Sequence, residues 1–377
     1  MSDGDRPSGA QEGPSGFGLA NLYDFFVDIV VKERVFLTLL GVGFLTAALT
    51  YDIPWIAMWV GFAVAGYSAV ANDSIQTIGT FIASNREQKW WHLWLFIGGI
   101  WLATIGYSWW AYDGDVTYGR LAAKGFEASP TSFSFLQVAA PLFLLILTRL
   151  RMPVSTTFLL LSSFAAGAGS VASVATKSLA GYGVAFVLAF AIWMALSAVM
   201  DRHFVGKPAA FWRPFQWLTS GLLWSVWIQQ DAANIAVYLP RSLNVVQVLA
   251  FGGVVFVGLG FLFKMGGERV QEIVDEKSNV VDVRAATVID LVYTVILYVF
   301  KIWSNVPMST TWVFIGLLAG RELAMSLRKS SELTLKQAAK LMGRDVLFAG
   351  IGLAVSLGLA FAVNVEFRNA VWSYFGG

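Results

Sequence analysis

The chain alternates long apolar stretches with short polar ones, and the apolar stretches set its architecture. Runs near 35–50, 53–72, 92–110, 132–148 and 154–174 are followed by runs near 180–199, 211–230, 243–264, 285–303 and 308–325, with a last run near 343–364. Most are about 17–22 residues long, and roughly 20 residues at 1.5 Å rise cross a bilayer core. The pattern predicts an all-α polytopic membrane protein. Residues 1–16 are polar and rich in Gly, Ser and Pro, the composition of a disordered tail rather than of a signal peptide. Residues 17–33 mix Phe17, Leu19, Leu22, Phe25, Phe26 and Val27 with Asp24, Asp28 and Lys32, which predicts an amphipathic segment at the membrane interface.

Polar residues inside the apolar runs recur in pairs. Val70-Ala71-Asn72-Asp73-Ser74-Ile75-Gln76 is echoed by Gln229-Gln230-Asp231-Ala232-Ala233-Asn234, and Pro153-Val154-Ser155-Thr156-Thr157 by Pro307-Met308-Ser309-Thr310-Thr311, at nearly the same offset. The duplication divides the chain into a tail with its interfacial segment (1–33), a first transmembrane repeat (34–178), a second (179–325), and a cytoplasmic connector with a final span (326–377). Loop charge orients the repeats. With the N-terminus inside, the inner loops carry Arg86, Lys89, Arg149, Arg151, Arg202, Lys207, Arg213, Lys264, Arg269, Lys277 and Arg284. The outer loops 111–131 and 231–242 are poorer in basic residues, as the positive-inside rule requires. That orientation needs five crossings per repeat, and an odd number inverts the second. The two acid motifs then approach the midplane from opposite sides, on helices or helical hairpins that break partway.

Composition narrows the chemistry. Hydrophobic residues make up 57% of the chain and charged residues 13%, with a mean hydropathy of +0.64, so lipid is the solvent. A net charge of +2 argues against a nucleic-acid partner. Zero Cys removes disulfides, thiolate catalysis and Fe–S ligation, and two His leave no histidine-based metal site or other cofactor. Nothing resembles the His-rich or DxD clusters of a membrane phosphotransferase, so no enzyme is expected.

From Asp73, residues at +3, +4 and +7 share one helix face, which brings together Asp73, Gln76, Thr77 and Thr80, with Asn72 beside them. Gln230, Asp231 and Asn234 form the second copy. These are oxygen ligands for a hard cation, and a carboxylate at membrane depth is a functional hypothesis by default. Helix capping at a membrane boundary is the plainer alternative. The Ser-Thr-Thr runs follow Pro at expected helix N-termini, where N–H groups, the helix dipole and hydroxyls welcome an oxyanion. Capping competes there too. Lys177 reads as an interfacial snorkelling residue, Arg241 as a loop charge or outer gate, Asp290 and Lys301 as charges that neutralise neighbours, and Lys336 to Arg344 as an amphipathic connector.

The chain resembles the inorganic phosphate transporter (PiT) family, whose signature is roughly G-A-N-D-V-A-N-A-x-G-T-x-x-G-S in inverted halves. Residues 70–84 retain Ala71, Asn72, Asp73, Gly79, Thr80 and Ser84; the second copy retains Asp231, Ala233, Asn234 and Ala236. The family's P-[VI]-S-T-T-H is matched at 153–157 and, with Met308, at 307–311. Departures are Gln76 and Gln230 for Asn, Ala83 for Gly, and Phe158 and Trp312 for the His after each S-T-T. The resemblance covers about residues 53–325 and marks a divergent member.

It implies import of inorganic phosphate by symport with Na⁺, with proton-coupled transport of sulfate or another oxyanion as the alternative. Asp73 and Asp231, with Asn72, Gln76, Thr80, Gln230 and Asn234, would bind Na⁺. Ser155, Thr156, Thr157, Ser309, Thr310 and Thr311, with Asn72 and Asn234, would bind the anion. A homodimer in a bacterial inner membrane is expected. An anion channel and a non-transporting sensor are the readings from other classes.

Overall fold

A computed structural model describes residues 19–150, 152, 154–164, 168–265, 282–303, 309–328 and 334–375; within them, side chains are described except at 19–32, 74–76, 168–171, 173–174, 201, 265, 301, 366 and 374–375. Every regular element among these residues is helical. In order they are α1 (Leu19–Thr50), α2 (Pro54–Thr77), α3 (Gly79–Ser84), α4 (Trp90–Ala111), α5 (Arg120–Ala123), α6 (Phe135–Arg149), α7 (Ala168–His203), α8 (Trp212–Ala236), α9 (Val245–Met265), α10 (Val283–Leu297), α11 (Thr310–Arg328), α12 (Leu335–Val363) and α13 (Val365–Phe375). Two π-helical turns, Thr157–Leu161 and Tyr298–Trp303, complete them. The tail expected over 1–16, together with Pro153, Pro307 and Met308, lies outside the described residues.

Seven of these helices are long and apolar enough to cross a membrane. Their exposure pattern is the reverse of a water-soluble protein's. Val246 (76%), Leu249 (69%) and Trp55 (67%) face outward, whereas Asn72, Asp73, Gln230, Asp231, Asn234 and Asp290 are buried. Exposed apolar side chains around a polar interior need hydrocarbon as the outer phase.

The chain divides into two units within α1, residues 1–45 and 46–377. In the first, α1 runs without a break from Leu19, so the segment expected at the interface is helically continuous with the first span. Val35 and Leu39 on it are exposed.

In the second unit, α2 packs on α6, α8 on α10, and α4 on both α8 and α9. Indole N–H groups tie α4 to α9: Trp94 donates to the Phe256 carbonyl at 2.8 Å and Trp101 to Gly252 at 3.1 Å. Helix α6 opens on a capping box, with Ser134 accepting from the Gln137 N–H. Pro141 inside it has no N–H, which releases the Gln137 carbonyl four residues back. The Tyr238 hydroxyl takes that carbonyl at 2.9 Å.

The largest helix contact is between α7 and α11. Gly316 faces the Tyr182 carbonyl, and Gly320 faces the Phe186 carbonyl and the Phe190 N–H. A Cβ at either glycine would collide with main chain, so only glycine permits this approach.

The spans expected at 154–174 and 180–199 are rearranged. The chain after Ser155 makes a short π-helical turn, and one 36-residue helix, α7, then covers Ala168–His203. Gly169 sits inside α7, and Gly316 and Gly320 sit inside α11. The connector expected near Lys336 to Arg344 is likewise the first part of α12, not a separate element.

Candidate functional site

The first acid motif occupies the last turns of α2. Thr77 closes the helix by donating its hydroxyl to the Asp73 carbonyl at 2.9 Å. Ile78 is non-helical (φ −113°, ψ 2°), and α3 starts at Gly79. Asp73 is fully buried. The Asn72 amide donates to Asp73 Oδ1 at 2.6 Å and to the Val154 carbonyl at 2.8 Å, while Thr148 donates to Asn72 Oδ1 at 3.2 Å. The Gln76 side chain lies outside the described residues.

The second motif occupies the last turns of α8, which continues unbroken to Ala236. Asn234 Nδ2 donates to Asp231 Oδ1 at 2.8 Å, to Thr156 Oγ1 at 3.0 Å and to Thr157 Oγ1 at 3.2 Å. Gln230 is 1% exposed, yet neither its Nε2 nor its Oε1 has a hydrogen-bond partner among the described residues; Asn234 Oδ1 has none either. Each such atom costs about 1–3 kcal/mol when left unsatisfied. Three of them in one buried cluster fit a site that takes a polar ligand.

The Ser-Thr-Thr segments complete the cluster. Ser155 Oγ accepts from the Phe158 N–H at 3.2 Å and Ser309 Oγ from the Trp312 N–H at 3.4 Å, so both serines cap the turn that follows. Capping uses oxygen lone pairs and leaves the hydroxyl protons to donate elsewhere. Thr156 and Thr157 accept from Asn234 and keep their protons in the same way. Thr311 donates to the Val154 carbonyl at 3.1 Å, and the Ser309 N–H donates to Ser178 Oγ at 2.8 Å. The Val154 carbonyl therefore joins Asn72 of the first acid motif to Thr311 of the second Ser-Thr-Thr run. The Tyr293 hydroxyl, 3.4 Å from the Thr310 carbonyl, is within Coulombic reach of both Asp73 and Asp231.

Phe158 and Trp312, which stand at the His positions of the family signature, pack into one apolar cluster with Ile315 and Ala349. No imidazole chemistry arises there.

Thr80 lies beyond the non-helical Ile78, on the helix after that of Asp73. Its hydroxyl donates to Asp290 Oδ1 at 2.5 Å, and Ser220 donates to Asp290 Oδ2. The network continues through Gln216 to Ser220 (2.9 Å), Asn85 to Gln216 (2.8 Å) and Trp217 to Asn85 (2.9 Å). Among the described residues the side-chain partners of Asp290 are hydroxyls; the Lys301 side chain lies outside them.

Arg241 points its guanidinium at main chain, donating to the carbonyls of Phe126 (2.8 Å), Ala128 (2.7 Å) and Leu239 (2.7 Å). Burial pushes its guanidinium below the usual range, with Asp115 acting in the opposite sense. It clamps the 126–129 segment and is not a mobile gate charge. Sequence reasoning missed the Val154 carbonyl, because main-chain acceptors leave no trace in side-chain patterns. It also missed Tyr293, which reads as one aromatic among many in an apolar run.

These features define an integral membrane protein with two buried acid-amide clusters joined through one Ser-Thr-Thr segment. Comparison with protein-family models, curated proteins and solved structures finds no match.

Proposed function

We propose that the chain is a secondary active transporter that imports inorganic phosphate by symport with Na⁺. The convergence of all four motifs on residues 154–157 carries this reading. Asn72 and Thr311 meet at the Val154 carbonyl, and Asn234 meets Thr156 and Thr157 while holding Asp231. Cation and anion ligands thereby share side chains, so binding of either ion orients groups that the other uses. Their opposite charges raise each other's affinity, which is the thermodynamic basis of coupling.

Helix polarity supports the division of labour. Asp73 and Asp231 lie in the last turns of α2 and α8, whose carbonyl ends favour cations, with Asn72, Gln76, Gln230 and Asn234 as further oxygen ligands. Thr310 opens α11, whose N–H end favours an oxyanion, with the hydroxyls of Ser155, Thr156, Thr157 and Ser309 as donors. Thr80 donates its proton to Asp290 and keeps its oxygen lone pairs, so it stays in the cation set as a hydroxyl ligand. The matched pairing of α2 with α6 and of α8 with α10 supports an organisation in two repeats, with alternating access between them.

One observation favours proton coupling instead. Asp290 is a third buried acid, its partners among the described residues are hydroxyls, and an acid without a cation beside it is suited to carrying its own proton. The test is uptake into proteoliposomes of labelled phosphate or sulfate under a Na⁺ gradient or a proton gradient. Phosphate accumulation driven by Na⁺ is expected. Accumulation of neither anion under either gradient would refute transport, and collapse of the anion to its Nernst distribution would identify a channel.

A further inference from the structure

The candidate site holds two buried carboxylates, and the fold brings one buried guanidinium toward it. Arg120 lies in the segment between α4 and α6, a region that a charge count treats as solvated. It is nevertheless only 7% exposed, and the Asp231 carboxylate is 2% exposed. Helix α5, which Arg120 opens, packs on α8. Asp231 sits five residues from the end of α8, about 7.5 Å along the axis at 1.5 Å per residue. An arginine side chain spans that distance.

The local backbone is built to aim this residue. Tyr118 and Gly119 both have positive φ (57° and 70°), an unfavourable pairing for a tyrosine. Several bonds hold it. The Asp115 carboxylate accepts from the Thr117 N–H at 2.6 Å and the Gly119 N–H at 2.8 Å. The Tyr118 N–H donates to Ser108 Oγ at 2.9 Å, and the Tyr118 hydroxyl to the Thr104 carbonyl at 2.7 Å. The loop is also tied to the chain beyond α8, with the Leu243 N–H on the Gly114 carbonyl at 2.9 Å and the Trp109 indole on the Leu243 carbonyl at 2.7 Å. Backbone strain secured by this many bonds marks a residue whose direction matters.

We propose that Arg120 is a tethered counter-cation for Asp231, so that the chain itself neutralises this half of the site and only the Asp73 half takes up a mobile cation. The proposal rests on the transporter reading for its consequence, an asymmetric site that couples one cation fewer than two equal carboxylates would. Burial pushes the Arg120 guanidinium down to about 10 and Asp231 opposes that shift, which leaves it charged at neutral pH. Arginine suits the role because it stays protonated when desolvated, whereas a buried lysine loses its proton readily.

Two measurements decide the matter. In proteoliposomes, the cation-to-anion ratio read from reversal potentials should rise by one in Arg120→Gln, as a mobile cation takes the vacated role at Asp231. An equal ratio in Arg120→Gln and the unaltered protein would overturn the proposal. Independently, thermal unfolding of the purified protein, Arg120→Gln, Asp231→Asn and the double variant forms a mutant cycle. The double variant should be destabilised by clearly less than the sum of the two single variants; additive shifts would overturn the pairing. A transport-dead Arg120→Gln leaves the decision to the cycle. If the unaltered protein moves no anion yet the cycle shows coupling, the transporter reading falls and the ion pair stands. If transport is present and the cycle is additive, only the tethered cation falls.

Discussion

Replacing Asn234 with leucine separates a ligand-organising side chain from a structural one, because the two roles predict opposite balances of stability and function. Asn234 Nδ2 has two protons for three acceptors: Asp231 Oδ1, Thr156 Oγ1 and Thr157 Oγ1. Leucine keeps the volume and removes those bonds. A bond to a charged acceptor contributes about 1.5–3 kcal/mol and one to a neutral hydroxyl about 0.5–1.5 kcal/mol. Against that loss of about 2–4.5 kcal/mol, leucine also removes Oδ1, a buried acceptor without a partner that costs about 1–3 kcal/mol. The net destabilisation is therefore about 1–2 kcal/mol. At about 2–4 °C per kcal/mol for chains of 150–250 residues, and less for a longer chain, Tm should fall by under about 8 °C. Function should not follow that modest trend, because Thr156, Thr157 and Asp231 all lose the group that holds them together. Uptake should drop by more than about tenfold, the effect of 1.4 kcal/mol or more at the binding step. The assay pairs thermal unfolding in detergent with initial uptake rates in proteoliposomes. Uptake within twofold of the unaltered protein, or a Tm loss beyond 15 °C with uptake falling in parallel, would refute the reasoning.

Further expectations follow from the same geometry. Asp73→Asn and Asp231→Asn should each abolish cation-driven uptake while the protein still folds, checked by size-exclusion profile and uptake; normal uptake in both removes the carboxylates from coupling. Gly316→Ala and Gly320→Ala should each destabilise by about 1–3 kcal/mol, the usual cost of overpacking, because the new methyl meets the main chain of α7; unfolding in denaturant measures it. Asp290→Leu strands the Thr80 and Ser220 hydroxyls and should destabilise by about 2 kcal/mol or more, with Asp290→Asn far milder. Burial raises the Asp282 carboxyl, but hydrogen bonds from the Arg284 side chain and backbone outweigh it and hold Asp282 below its ordinary range. Its stabilisation is present above the unfolded carboxylate pKa and is lost as pH falls through the lower folded value. The Tm difference between Asp282→Asn and the unaltered protein should accordingly vanish in strong acid and persist at pH 7.

Seven of the eleven expected spans correspond to helices long and apolar enough to cross a membrane, and these were legible because hydropathy over about 20 residues is a bulk property that no single contact overrides. The continuity of α7 was not. Gly169 and Ser170 left a plain helix and a broken hairpin equally open, because small residues inside a membrane helix also permit close packing, and whether a partner arrives is a tertiary fact. The acid and Ser-Thr-Thr residues were legible as a set, since carboxylates, amides and hydroxyls stand out in an apolar run. Their connections were not, because the central acceptor is the Val154 carbonyl. The Thr80 partner was hidden for a related reason: helical periodicity relates Thr80 only to its own segment, and Asp290 is 210 positions away. Arg120 escaped notice because a loop arginine is normally solvated, and its burial depends on the left-handed turn at Tyr118 and Gly119.

The glycine-mediated contact of α7 with α11 has a mechanical meaning. Helix α7 has 36 residues, about 54 Å of rod, far more than the ~30 Å hydrocarbon layer requires. The Ser309 N–H is anchored on Ser178 of that rod, and Gly316 and Gly320 seat α11 against it one and two turns further on. Neither helix can slide without separating main chain from main chain, so the pair tilts as one lever with Ser309 to Thr311 riding on it. From Ser178 about 37 Å of the rod remains to His203, so a tilt of about 10° about that point would swing the far end by roughly 6 Å while the ligand-bearing residues hardly shift.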